Sequence, residues 1–128
     1  MRYLLDTHSF IWLDSTAARL SLKVAAICQD QTNALILSVA SVWEMQIKLQ
    51  LGKLTLPAPL AQTIENQQRT NQIELLPVQL AHVLELANLP NHHKDPFDRL
   101  LIAQAISEGL ILISHDPRMA QYPVQVVW

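Results

Sequence analysis

Five short apolar runs punctuate the chain. Tyr3-Leu4-Leu5 stops at Asp6, Ala34 to Ser38 reads ALILS, and Ile73 to Val78 reads IELLPV; Leu110 to Ser114 reads LILIS, and Val124 to Trp128 reads VQVVW. Runs so nearly continuous in apolar residues suit strands covered on both faces, so they predict a central, mostly parallel sheet of about five strands. Between them lie stretches with helical patterns: 20–31, 41–51, 58–72, 78–89 and 96–108. The only two glycines, Gly52 and Gly109, fall just past the second and last of these, where a left-handed C-cap is expected. Strands alternating with helices predict a three-layer α/β fold with right-handed crossovers. At 128 residues, 1–128 is read as a single domain.

Composition narrows the function classes. Half the residues are hydrophobic, 50%, and the mean hydropathy is +0.16. That is ample for one core and high enough to predict a partner-covered face as well. The net charge of −2 carries no overall basic signature for nucleic acid. One cysteine, Cys28, excludes an internal disulfide framework and fits a reducing cytoplasm. The first apolar run is broken by Asp6 and His8, unlike a signal peptide, and no run reaches membrane-spanning length.

Four carboxylates then change the picture. Each has a local explanation. Asp95-Pro96-Phe97-Asp98 reads as a helix start with Asp95 at the N-cap and Pro96 at N1. Ser41-Val42-Trp43-Glu44 reads as a capping box, with Lys48 one turn beyond Glu44. Asp116-Pro117 reads as another N-cap, and Asp6 as the cap of whatever begins at Thr7. In a parallel α/β sheet, however, strand ends and helix starts share one edge, the edge where open sheets bind ligands. Asp6, Glu44, Asp98 and Asp116 all fall there.

Helix N-termini favour an anion by only about 0.3–1 kcal/mol. Two like charges ~4 Å apart repel by about 4 kcal/mol at an effective dielectric near 20. Four together call for counter-charge, and an all-oxygen donor set points to a hard divalent cation, Mg²⁺ or Mn²⁺. Such a site serves phosphoryl-oxygen chemistry by activating a water and stabilising developing charge. Setting these four apart leaves seven acidic residues against nine Lys and Arg, a mildly basic remainder that a phosphodiester can approach.

The segments "YLLDTH", "SVASVWEMQIKLQLGKL", "LPNHHKDPFDRLLIAQA" and "LILISHD" resemble a PIN domain. Within that family they are most similar to the VapC-type ribonuclease toxins of bacterial toxin–antitoxin pairs. The resemblance covers essentially the whole chain, and "DPFDRLLIAQA" with a downstream S-x-D is its most specific part. It implies a Mg²⁺-dependent endoribonuclease acting on cellular RNA, a homodimer, and a cognate antitoxin that blocks the site. It implies Asp6, Glu44 and Asp98 as core acidic residues, Asp116 as a more variable fourth, and Thr7 and Ser114 as supporting hydroxyls.

Lys48, His92, His93, Lys94 and Arg99 are candidate RNA-phosphate contacts, weighed against plain ion pairs and a solvated turn. Trp12 and Trp43 read as core or dimer surface rather than base-stacking platforms, and Trp128 as a plug at the sheet end. Two other classes compete with the nuclease: a non-catalytic PIN-like module that binds RNA or protein, and a small metal-dependent phosphatase. The first is disfavoured by the intact acidic set. The second needs an aspartate two residues after Asp6, where His8 stands; a histidine-rich phosphohydrolase needs a pattern that His8, His82 and His115 do not supply.

Overall fold

The computed structural model describes residues 1–128. Its five strands are β1 (Arg2–Leu5), β2 (Ala34–Ser38), β3 (Glu74–Leu76), β4 (Ile111–Ile113) and β5 (Val126–Val127). They form one sheet in the order β3-β2-β1-β4-β5, and every pairing is parallel. The helices are α1 (Thr7–Ser15), α2 (Leu22–Gln29), α3 (Val39–Gln50), α4 (Leu60–Thr70), α5 (Leu80–Glu85) and α6 (Pro96–Glu108).

Alternation along the strands divides the core into two layers. Tyr3, Leu5, Leu35, Leu37, Ile111 and Ile113 face one side, where Phe10 of α1, Val24 of α2 and Met45 of α3 cover them. Leu4, Ile36 and Leu112 face the other, against Leu101, Ile102 and Ala105 of α6 and the buried Met119 and Tyr122. The central strands β1, β2 and β4 have both faces covered and no polar position to spare, which is why their runs read as continuous. At the sheet edge, β3 instead leaves Glu74 and Leu75 exposed. Cys28, half-buried on α2, packs against the first layer, and burial pushes its thiol up to about 11.

The caps follow the sequence in part. Asp95 is the N-cap of α6, its Oδ1 accepting from Phe97 N at 2.8 Å and Asp98 N at 3.1 Å, with Pro96 at N1. Asp6 caps α1 through Ser9 N at 2.8 Å. Gly109 closes α6 at φ 66°, and Gly52 follows α3 at φ 70°. The capping box at Ser41 does not form. Helix α3 starts directly from the end of β2 with Ser38 as its cap, and Ser41 lies buried inside the helix. Asp116 caps only a turn: its Oδ1 accepts from Arg118 N at 2.9 Å, ahead of a 3-10 segment at Met119–Gln121. Asp95→Ala is expected to lower stability by about 0.5–2 kcal/mol, measured by urea denaturation, because it leaves helix-end N–H groups without a partner.

Candidate active site

All five strands end at one edge of the sheet, and α1, α3 and α6 begin there. This edge holds a cavity of about 250 Å³ with no hydrophobic side chain in its lining. Asp6, Glu44, Asp95, Asp98 and Asp116 meet there with Lys48, Lys94 and Arg118, beside His8 and His93. Five carboxylates therefore face three cations.

Each acid is positioned by hydrogen bonds. Asp6 is buried where β1 gives way to α1: Oδ1 is held by Ser9 N and Oδ2 accepts from Ser114 Oγ at 2.6 Å. Ser114, at the end of β4, also accepts from Asp116 N at 3.1 Å, so one hydroxyl ties two acidic segments together. Glu44 is buried in the second turn of α3, one turn further along than the capping-box reading placed it. Its Oε1 accepts from Thr7 Oγ1 at 2.7 Å, and its Oε2 from Lys48 Nζ at 2.8 Å. Ser41 Oγ lies 2.9 Å from Thr7 Oγ1. A carboxylate only accepts, so Thr7 gives its proton to Glu44 and Ser41 donates to Thr7.

Asp98 carries the electrostatic cost of this convergence. Burial pushes its carboxyl up to about 7, and the charges of Asp95, Asp6, Glu44 and Asp116 push the same way. Asp116 moves in the opposite direction. Hydrogen bonds from Arg118, with Nε at 3.1 and 3.2 Å and Nη2 at 2.9 Å, hold it below the usual carboxylate range.

Of residues 92–94, weighed as phosphate contacts against a solvated turn, His92 and Lys94 are exposed and His93 is buried. It is 6% exposed, and its backbone N donates to Tyr122 Oη at 2.8 Å. Nδ1 accepts from Asp95 N at 3.2 Å, which places the proton of the neutral ring on Nε2. Nε2 is 2.8 Å from Asp98 Oδ2 and 3.2 Å from Asp116 Oδ2, yet neither oxygen lies close enough to the N–H axis to complete a hydrogen bond. The facing atoms of His93, Asp98 and Asp116 lie within 4.8 Å of one another. Because the nitrogen turned toward the carboxylates bears hydrogen, the donors available to a cation are the oxygens. An all-oxygen set with surplus negative charge and one carboxyl driven to about 7 fits a divalent cation.

The remaining candidates separate. Lys48 and Lys94 line the cavity, Lys48 through its bond to Glu44. Arg99 is not brought to the cavity: its guanidinium donates to Pro90 O at 2.9 Å and Tyr122 Oη at 3.2 Å, fastening the loop before α6. Exposed His92 stacks edge-on against Tyr122 at 5.3 Å and does not line the cavity either. His82 is buried elsewhere, bridging Gln79 N and Glu108. Arg118 escaped the sequence reading, although its position two residues after Asp116 suits a side-chain pair across a turn.

Fold and site together define an α/β domain that gathers buried acidic side chains at the C-terminal edge of a parallel sheet. The chain belongs to the PIN domain family, whose model matches residues 3–125. It is 42% identical over 57 residues to Ribonuclease VapC16 of Mycobacterium tuberculosis (strain ATCC 25618 / H37Rv). That alignment takes in 44% of this chain and spans only 40% of that relative's length. The fold is similar to VapBC2 from Rickettsia felis bound to a promoter DNA fragment, with a TM-score of 0.74 and 13% identity over 99% of this chain and 98% of that one. It is also similar to VapBC-1 from nontypeable Haemophilus influenzae, with a TM-score of 0.67 and 21% identity over 99% and 97%. No helix is long and apolar enough to cross a membrane.

Proposed function

We propose that this chain is a divalent-cation-dependent endoribonuclease and the toxin of a toxin–antitoxin pair, as the relatives' names suggest. The observation that carries the reading is the convergence of Asp6, Glu44, Asp95, Asp98 and Asp116 on one cavity at the strand ends, where burial and acidic neighbours push the Asp98 carboxyl up to about 7. Asp6, Glu44, Asp98 and Asp116 would hold Mg²⁺ or Mn²⁺. Once bound, the ion supplies an activated water and stabilises charge on the phosphoryl oxygens. The protein's own share is orientation. Ser114 and Ser9 fix the Asp6 carboxylate, and Thr7 with Lys48 fixes Glu44. The His93 N–H faces Asp98 and Asp116 and opposes their mutual repulsion. Lys48 and Lys94 offer positive charge to an approaching phosphodiester. The test is cleavage of labelled single-stranded RNA by purified protein. Cleavage with Mg²⁺ or Mn²⁺ and none with EDTA is expected; RNA binding without cleavage in either metal would favour a non-catalytic binding module.

The same reading includes a cytoplasmic location, a homodimer and a cognate antitoxin. An apolar groove of about 430 Å³ between α3, α5 and α6 supports a protein-covered face. There Trp43, 61% exposed, meets Phe97 edge-on at 5.2 Å, and the neighbouring Leu80 and Leu84 of α5 are also largely exposed. Light scattering at micromolar concentration should give a dimer or larger, and Trp43→Glu should shift it toward monomer. A wild-type monomer would sink the dimer.

A further inference from the structure

Beside the carboxylates a second cavity of about 410 Å³ opens, lined by Asp6, His8, Trp12, His115, Asp116 and Pro117. Its volume falls within the ~300–1,000 Å³ typical of small-molecule sites. It shares Asp6, His8 and Asp116 with the acidic cavity, so whatever it holds lies against the site already described.

The chemistry of its wall is different. Three rings line it, His8 and Trp12 from α1 and His115 from the turn after β4, and Trp128 beyond β5 packs against two of them without entering the lining. Trp12 lies 6.0 Å from His8, 6.4 Å from His115 and 5.7 Å from Trp128, and His115 lies 4.9 Å from Trp128 at an inclination of 32°. The Arg19 guanidinium sits over the Trp12 ring at 5.1 Å. Trp12 and Trp128 pack only partly into the core, leaving ring surface accessible, and both imidazoles are exposed. Flat π-surface rimmed by imidazoles and backed by a guanidinium suits an unstacked base of single-stranded RNA. This cavity has no lysine or arginine in its lining to offset Asp6 and Asp116, whereas the acidic cavity has Lys48, Lys94 and Arg118 beside its proposed cation; the phosphate therefore belongs there and the base here.

We propose that this cavity is a subsite for a single unstacked nucleobase next to the scissile phosphate. Trp12 and His115 provide the stacking surface, and His8 meets the base edge. The proposal rests on the nuclease reading and adds to it the side chains that receive the base flanking the cut.

The test uses synthetic single-stranded RNA in which one abasic nucleotide is moved through the positions flanking the cut. Cleavage in Mn²⁺ is compared for wild type, Trp12→Ala, Trp12→Phe and His115→Ala at matched folded fraction. For wild type, one abasic position should lower kcat/KM by about 5- to 150-fold, the range expected from losing one base stack. In Trp12→Ala the same abasic penalty should shrink to about twofold or less, whereas Trp12→Phe should retain most of it because its ring still stacks. His115 is exposed, so His115→Ala tests the wall without disturbing the core and should also reduce the penalty. In parallel, RNA carrying a photoreactive base, bound in Ca²⁺, should crosslink to His8, Trp12 or His115. Crosslinks confined to the Trp43–Phe97 groove, or an abasic penalty equal in wild type and both alanine variants, would overturn the subsite while leaving the nuclease intact. If the alanine variants lose a co-purifying protein but keep the RNA kinetics, the cavity is a protein-docking site and the proposal falls. If wild type neither cuts nor crosslinks RNA, the nuclease reading itself falls and the subsite with it.

Discussion

Asp98→Asn is expected to abolish RNA cleavage and, in EDTA, to melt at a higher temperature than wild type. These two effects have opposite signs, and together they separate a metal site from a helix start. Asparagine keeps the size and polarity of the side chain, and Asp95 remains the cap of α6. Only the charge is removed, which a cation needs and which the metal-free protein tolerates badly. The wild-type carboxyl has a folded pKa of about 7 against an ordinary 3.8. The folded state therefore holds this proton more tightly than the unfolded chain does. Stability in EDTA is fully present below the lower value and declines as pH rises through the upper one. The decline is about 1.4 kcal/mol per pH unit between the two, less what water access removes. At about pH 8 the asparagine variant escapes that loss, and each recovered kcal/mol raises the melting temperature by roughly 3–6 °C for a domain of this size. A variant that melts lower in EDTA at this pH would show that the cluster is not under electrostatic strain.

Metal binding should reverse the pH trend. A cation displaces the Asp98 proton, so below about 7 binding and protonation compete. The apparent Mn²⁺ affinity is expected to weaken about tenfold for each pH unit below that value and to level off above it. Thermal stabilisation by metal follows RT ln(1 + [L]/Kd), so at fixed metal it should grow as pH rises toward neutrality. Calorimetric titration between about pH 5.5 and pH 8 measures this directly. An affinity constant across that range would remove Asp98 from the binding site. Asp6→Asn/Asp98→Asn should show no metal-induced rise in melting temperature at either end of it.

Much of this architecture was legible in the sequence because its signals are local. The five apolar runs became five parallel strands, and the two glycines closed the helices they follow. Asp6 and Asp95 capped the helices they precede. What the sequence hid depends on tertiary contacts. Helix α1 has polar and apolar residues on every side, because its N-terminal end faces the acidic cavity while Phe10 enters the core, so no amphipathic stripe marks it. Helix α3 begins at the last residue of β2 without a loop, which moves the cap from Ser41 to Ser38 and frees Ser41 to join the Thr7–Glu44 network. His93 and Arg99 look like surface charge in "HHKDPFDR". Tyr122, far along the chain, binds the loop that carries one and anchors the guanidinium of the other. The aromatic wall of the second cavity is assembled from residues more than a hundred positions apart, beyond any local pattern.

The central claim is that a divalent cation held by these carboxylates cuts RNA. Its most direct test follows cleavage of a labelled single-stranded RNA and the metal-induced rise in melting temperature on one preparation across a Mn²⁺ titration. Both curves are expected to share one midpoint in wild type, cleavage to stop in EDTA, and Asp98→Asn at equal folded fraction not to cut at any metal concentration. Cleavage by Asp98→Asn at near wild-type rate, or by wild type in EDTA, would contradict that claim.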